Sequence, residues 1–345
     1  MSLAVATETT ESFARPAPRP PRAEAPFACQ RGTRAIRITP RYAGHQVTVP
    51  VRYLWAGAPG APTLIVQGGI SADRDVCATA EHAAPGWWEA LVGRNRAIDI
   101  EHVRVLAIDW LDAGDLESPS VSSEDQADAL AALLDALGIA RVEAFVGASY
   151  GAMVGLAFAA RHADRLGKLV ALAGAHRPHP HATAQRAVQR GIVKLGLDRG
   201  CVDEALSLAR QLALTTYRSG EEIGRRFAGG AEYRGDRFQL PVEGWLEHHG
   251  RRFAARFDAR RYLALSESID LHDVDPKAVR VPTSLIGFAS DRLVPLADLC
   301  ALQQRLAAPA SLDVVETRYG HDGFLKEHER LAPLLREALN AWSTP

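Results

Sequence analysis

Val142-Glu-Ala-Phe-Val-Gly-Ala-Ser-Tyr-Gly-Ala-Met-Val-Gly-Leu156 is the stretch on which the reading of this chain turns. An apolar, β-favouring run ends in Gly147-Ala148-Ser149-Tyr150-Gly151, and a helix-like run from Met153 to Arg161 follows at once. A strand that turns sharply into a helix with a serine at the apex is the nucleophile elbow, G-x-S-x-G. Such a turn strains the serine backbone and brings the flanking chain close to itself. Gly147 and Gly151 carry no Cβ to block that approach, and Ala148 adds little. The helix that starts there aims its free N–H groups and its positive end at the serine, where negative charge would develop.

Outward from the elbow, four more short apolar runs suit strands buried on both faces: Pro62–Gln67, Val103–Asp109, Lys168–Ala173 and Thr283–Phe288. Residues 34–55 alternate apolar and polar in Ala35–Ile38, Gln46–Val49 and Val51–Trp55, which predicts antiparallel strands at a sheet edge. Helical patterns fall between the runs, at Glu124–Leu137 behind a Ser122 or Ser123 cap and at Ala152–His162. Strand alternating with helix predicts an α/β architecture: a mostly parallel central sheet, helices on both faces, and an active site beyond the C-terminal strand ends.

From about His176 to Asp275 the strand signal disappears. Arg186–Leu197, Cys201–Leu214, Gly220–Arg226, Val242–Phe257 and Arg260–Ile269 read as helices, as an inserted lid would. The sheet pattern resumes at Thr283–Phe288, with a helix at Ala297–Leu306, a last strand at Leu312–Thr317 and a closing helix at Phe324–Trp342. The expected organisation is a flexible tail over 1–26, a core over 27–175 and 276–345, and a helical lid over 176–275.

The 345 residues are 47% hydrophobic, enough for a large core plus an insertion, and the formal net charge of -1 argues against a nucleic-acid or polybasic membrane footprint. Cys29, Cys77, Cys201 and Cys300 are far apart and form no C-x-x-C pair, which predicts reduced thiols. The first residues are rich in Pro, Ala, Thr and Glu and lack the apolar run of a signal peptide. A soluble cytoplasmic protein is the expectation. His176, His179 and His181 are broken by prolines and lack helical ligand spacing, so they read as a solvated lid entrance and no metal site is predicted. No nucleotide cradle is present.

A serine hydroxyl needs a base to take its proton, and the base needs an acid to fix its tautomer. On this kind of sheet the partners follow in the order Ser, acid, His. Asp291, after the apolar run Ser284–Phe288, and His321, after the last strand, are the candidates, giving Ser149, Asp291 and His321. The oxyanion donors are expected from the backbone N–H of Tyr150 and, in the loop Gly68-Gly69-Ile70-Ser71, of Ile70.

Five further stretches resemble the homoserine O-acyltransferase family of the α/β-hydrolase type. They are Gly86-Trp-Trp-Glu-Ala-Leu-Val-Gly-Arg-Asn-Arg-Ala-Ile-Asp99, Thr215-Thr-Tyr-Arg-Ser-Gly-Glu-Glu-Ile-Gly-Arg-Arg-Phe227, Gly250-Arg-Arg-Phe-Ala-Ala-Arg-Phe-Asp-Ala-Arg-Arg-Tyr-Leu263, and the acid and histidine motifs Ser290–Pro295 and Gly320–Leu325. The resemblance covers most of the chain after the tail. It implies an α/β-hydrolase fold with a helical lid, and ping-pong transfer of an acyl group from acyl-CoA, through Ser149, to the hydroxyl of homoserine in methionine synthesis. Acyl-CoA then enters as co-substrate and no resident cofactor is implied.

The resemblance also implies that Asp322 binds the substrate amine and Arg190 its carboxylate, with Tyr217 and Arg218 as further pocket residues. It implies a homodimer formed through the lid. Two departures stand out. The family elbow reads G-S-M-G-G where this chain has Tyr150 and Ala152, and its first loop reads H-A-L-T-G where this chain has Gly68-Gly-Ile-Ser-Ala72. The acyl pocket has therefore changed, and succinyl is expected over acetyl as the donor group. Serine as acceptor, or an esterase of the same fold, is the alternative.

Overall fold

The computed structural model describes residues 29–79 and 82–340. The tail expected over 1–26 and the end of the closing helix at Trp342 lie outside them.

The chain begins with an antiparallel pair, β1 (Cys29–Ile38) and β2 (Val47–Gly57), and continues with β3 (Thr63–Gln67). A short parallel pair, β4 (Val92–Gly93) and β5 (Ile98–Asp99), lies apart from the main sheet. Then follow β6 (Arg104–Ile108), α1 (Ser123–Ala136), β7 (Val142–Ala148), α2 (Tyr150–Arg161) and β8 (Leu166–Leu172). A helical stretch comes next: α3 (Pro180–Arg199), α4 (Val202–Tyr217), α5 (Gly220–Arg226), the hairpin β9 (Glu232–Arg234) and β10 (Arg237–Gln239), α6 (Pro241–Ala254) and α7 (Ala259–Asp270). The chain then returns through β11 (Thr283–Phe288), α8 (Leu296–Arg305), β12 (Ala310–Val315), α9 (Gly323–Lys326) and α10 (His328–Asn340).

Eight strands form one sheet in the order β1-β2-β6-β3-β7-β8-β11-β12. All pairs from β6 to β12 are parallel, and only β1 and β2 run antiparallel to their neighbours. The pleat sorts each strand's side chains to opposite faces. Ile65, Leu106, Phe145 and Leu169 join α1 and α2 on one face, while Leu64, Val105, Val146 and Val170 join Trp88 and the Leu331 and Leu335 side of α10 on the other. Parallel strands covered on both faces need no polar alternation, which is why these runs are continuously apolar. At the start of α1, the Ser122 hydroxyl accepts from the Asp125 N–H, and the Asp125 carboxylate accepts from the Ser122 N–H, so two orphan donors are satisfied reciprocally.

The helical stretch has an apolar cluster of its own, with Val193, Leu206, Ala209, Phe253 and Tyr262 at its centre. No helix among the described residues is long and apolar enough to cross a membrane.

Three local expectations are corrected. The runs at 46–49 and 51–55 form a single strand, because Pro50 sits beyond the last pairing of β6 (Ile108 with Tyr53), where one edge of β2 has no neighbour and a missing N–H is tolerated. The hairpin of β9 and β10 falls where no strand was expected, since three-residue strands are too short to show alternation. The closing helix is two, broken at Glu327, whose carboxylate accepts from the Thr317 hydroxyl at 2.6 Å.

Candidate active site

Ser149 stands between β7 and α2 with φ 57 and ψ -117, a backbone conformation that non-glycine residues rarely hold. What forces it is the closeness of the chain on either side. A Cβ at Gly147 would lie 2.2 Å from the Gly151 carbonyl oxygen, and one at Gly151 would lie 2.3 Å from the Gln67 carbonyl oxygen. The turn is tied to both neighbouring strands: Ser149 N–H donates to Leu172 O at 2.8 Å, and Gly151 N–H donates to Gly68 O at 2.9 Å.

His321 follows β12, in a short 3₁₀ turn, and its Nε2 is 2.8 Å from Ser149 Oγ. Its Nδ1 is 2.7 Å from Asp291 Oδ2, beyond the end of β11. The other oxygen, Asp291 Oδ1, accepts from the N–H groups of Leu293 and Val294 at 2.8 and 3.1 Å, so the carboxylate is held by the loop that carries it. A carboxylate can only accept, which assigns the imidazole proton to Nδ1 and leaves the Nε2 lone pair facing the serine hydroxyl. Burial works against the charged imidazole, but the charge and hydrogen bond of Asp291, with a further contribution from Asp322, hold its pKa above the ordinary value. The three strand ends thus converge on one hydroxyl.

Two backbone donors flank Ser149. Among the described residues neither the Ile70 N–H nor the Tyr150 N–H has an acceptor, and both residues line the cavity at the serine. The Ile70 loop is held from behind, where Trp110 Nε1–H donates to Gly69 O at 3.0 Å. The Tyr150 side chain is fully buried. Its ring meets Trp110 edge-on at 4.9 Å, its hydroxyl is 2.6 Å from Ser268 Oγ on α7, and burial pushes its pKa far up.

Above these groups is an open cleft roofed by α3, α4 and α7. Asp322 lines it, with Oδ2 2.7 Å from Arg218 Nε but not aligned for a hydrogen bond. Tyr217 lines it too, its ring 6.1 Å from the His321 imidazole. Arg218 does not reach the cleft. It stands behind Asp322 and also lies 3.6 Å from Glu222.

Arg190 is likewise outside the lining. One of its terminal nitrogens donates to Asp270 Oδ2 at 2.6 Å and to the Ser266 carbonyl and hydroxyl at 3.1 Å. One helical turn earlier, Arg186 faces the cleft and shares the same Asp270, through Nε at 2.9 Å. His176, expected to be solvated, is buried with its Nε2 3.2 Å from Arg305, and burial lowers its pKa; His179 lines the cleft.

Besides Arg186, a second cleft arginine was missed in the sequence. The Arg210 guanidinium lies over the rings of Tyr217 and Phe253, at 5.3 and 4.8 Å, and no carboxylate among the described residues pairs with it. A signal existed. The positions three and four residues to either side, Leu206, Ser207, Ala213 and Leu214, are all buried and uncharged, so Arg210 sits on the inward face of α4. Among the described residues no group of three or more His, Cys, Asp or Glu is placed to hold a metal ion.

Comparison with known proteins follows this geometry. Residues 58–196 match the family model for the alpha/beta hydrolase fold. The homoserine O-succinyltransferase of Xanthomonas campestris pv. campestris is 49% identical over 310 residues, covering 90% of this chain and 84% of that protein. The L-serine/homoserine O-acetyltransferase of Streptomyces lavendulae is 34% identical over 318 residues, covering 78% of this chain and 85% of that protein. The crystal structure of homoserine O-acetyltransferase from Staphylococcus aureus superposes with a TM-score of 0.78 at 24% identity, over 91% of this chain and 96% of the other.

Proposed function

The chain belongs to the homoserine O-acyltransferase family on the α/β-hydrolase fold, and from that premise we propose that it transfers a succinyl group from succinyl-CoA to the hydroxyl of L-homoserine in methionine synthesis. The observation that carries the reading is the run from Asp291 through His321 to Ser149 Oγ, opening into a cleft that holds both a carboxylate and arginines.

In the first half-reaction Ser149 Oγ attacks the thioester carbonyl while His321 Nε2 takes its proton. The tetrahedral oxyanion is met by the unspent N–H groups of Ile70 and Tyr150. The intermediate collapses, the C–S bond breaks, and the CoA sulfur leaves with the proton from His321. In the second half the homoserine hydroxyl gives its proton to His321 and attacks the acyl-serine, and Ser149 leaves reprotonated. The chain's own residues perform every step, with acyl-CoA consumed as co-substrate.

Acceptor recognition requires opposite charges for an ammonium and a carboxylate. Asp322, beside His321, suits the ammonium. Arg210, unpaired and next to Tyr217, suits the carboxylate better than Arg190, whose guanidinium is engaged behind the wall. Donor recognition is supported by Arg186 and Arg190 sharing a single carboxylate, Asp270, all three side chains being mostly buried. The cluster carries a net positive charge and Arg186 is its member in the cleft lining, where the distal carboxylate of a succinyl group would otherwise be buried without a partner. Identity to a succinyltransferase over most of the chain points the same way.

The helices of residues 176–275 act as a lid that narrows the access of water, favouring transfer over hydrolysis. Val188, Leu195 and Leu208 on α3 and α4 are more than half exposed, which supports a homodimer formed through this layer. A cytoplasmic location fits the use of acyl-CoA.

The test is CoA thiol release in a matrix of succinyl- and acetyl-CoA against homoserine and serine. Succinyl-CoA with homoserine is expected to give the highest kcat/KM. Serine is expected to be a poorer acceptor, since one methylene is worth roughly 1–3 kcal/mol. Thiol release equally fast without any acceptor would make the protein a hydrolase.

A further inference from the structure

A second, open concave surface lies beside the active-site cleft. Its walls carry Arg218, Arg225, Arg226, Arg318 and Lys326; Arg218 is paired with Asp322 at 2.7 Å, Arg225 with Glu221 at 3.4 Å and Arg226 with Glu222 at 3.6 Å, which leaves Arg318 and Lys326 without a carboxylate among the described residues, on a chain whose formal total is -1. Composition alone does not produce this concentration of charge. The arginines at the end of α5, the arginine in the turn after β12 and the lysine at the end of α9 come from separate parts of the chain and meet only in the folded protein.

The surface is separated from the cleft by a thin wall. Tyr217 and Leu325 line the cleft, while their successors Arg218 and Lys326 line the basic groove. The Asp322–Arg218 pair at 2.7 Å spans the same wall. In the groove, Arg225, Arg226, Arg318 and Lys326 are exposed. Among the described residues no acceptor is within reach of Lys326, and the Arg318 guanidinium meets only Tyr319, through its hydroxyl at 3.2 Å and over its ring at 5.1 Å, while the Arg318 carbonyl accepts from the Ser219 hydroxyl. Tyr319, with Arg218 on it as well at 5.9 Å, presents a flat aromatic and guanidinium surface of the kind on which a base stacks. Cations gathered beside an aromatic ring match a nucleotide carrying several phosphates, since guanidinium groups pair phosphate oxygens bidentately.

We propose that the groove of Arg225, Arg226, Arg318, Tyr319 and Lys326 binds the phosphorylated adenosine end of the acyl-CoA donor, from which the pantetheine arm enters the cleft past the Asp322–Arg218 pair. The assignment rests on the acyl-CoA reading above. It gives the donor an anchor that the acceptor does not use, so its loss acts on one substrate only.

The experiment compares succinyl-CoA with succinyl-pantetheine, which keeps the thioester and lacks the nucleotide, in the wild type and in Arg318→Glu/Lys326→Glu. In the wild type the CoA thioester is expected to have a kcat/KM at least about tenfold higher, and adenosine 3′,5′-bisphosphate is expected to compete with it. The double variant is expected to raise KM for succinyl-CoA by about tenfold, with KM for homoserine and turnover of succinyl-pantetheine within about twofold of wild type. Retained turnover of the short donor also reports that the variant is folded. Equal use of the two donors by the wild type, or an equal loss with both donors in the variant, overturns the assignment. A wild type that releases thiol from neither donor in the presence of homoserine overturns the acyl-CoA reading itself, and the groove assignment with it.

Discussion

The rim of the sheet and the helical layer above it hold their charged groups in opposite ways. At the rim, each group is held in place by its own loop or by one neighbour: Asp291 is fixed by two N–H groups of its own loop, His321 by Asp291, and Ser149 by a turn that only small neighbours permit. In the layer, arginines are shared. Arg186 and Arg190 divide Asp270, Arg218 lies between Asp322 and Glu222, and Arg210 rests on aromatic faces. The difference teaches where tolerance lies. On the proposed function, chemistry placed by strand ends is insensitive to what happens between helices, whereas recognition built from shared side chains can be retuned by moving one charge.

Ser149→Ala breaks the comparison at its strongest point. It is expected to lower kcat by about 10⁴-fold or more for every donor and acceptor alike, and to abolish the acyl-enzyme mass adduct. Residual turnover near wild type would remove Ser149 from the mechanism. Substitutions in the layer are expected to be smaller and selective. Arg210→Gln is expected to lower kcat/KM for homoserine by roughly 10- to 100-fold while acyl-enzyme formation survives. Arg186→Gln is expected to reduce kcat/KM for succinyl-CoA about tenfold more than for acetyl-CoA. Equal losses for both donors would show that Arg186 only supports the fold.

A pH profile sharpens the boundary between the two regions, because Asp322 belongs to both. In the proposed mechanism His321 must be neutral to accept a proton, so kcat/KM for the donor is expected to fall as pH drops through its pKa, which lies above the ordinary imidazole value. Asp322→Asn removes one of the charges that raise it, and the acid limb is expected to move to lower pH. An unmoved limb would mean that Asp322 acts on substrate alone.

The smallest effect is on stability, at the junction of layer and core. His272, just after α7, is buried with Nδ1 2.7 Å from Ser123 Oγ on α1, and burial pushes its pKa down to about 3. The folded state keeps this imidazole neutral while the unfolded chain protonates near pH 6.5. Stability is therefore lost as pH falls below that value, by about 2 kcal/mol at pH 5. Urea unfolding of His272→Gln is expected to show a flatter decline between pH 7 and 5, and an unchanged slope would contradict this.

By itself the sequence determined the parallel sheet, the elbow and the candidates for nucleophile, acid and base. These depend on local signals: continuous apolar runs, a turn that needs small residues, and polar residues just beyond strand ends. It did not determine which arginine enters the cleft. Arg186 and Arg190 are one turn apart on the same face of α3, so their spacing cannot distinguish them. Only the packing of α3 against α7 places Asp270 and Ser266 to draw Arg190 behind the wall and leave Arg186 in front. The basic groove is likewise invisible in the chain, because its cations are separated by about a hundred residues and a charge run requires neighbours in sequence. Period and turn chemistry are local, whereas the meeting of side chains from different helices is decided by tertiary packing.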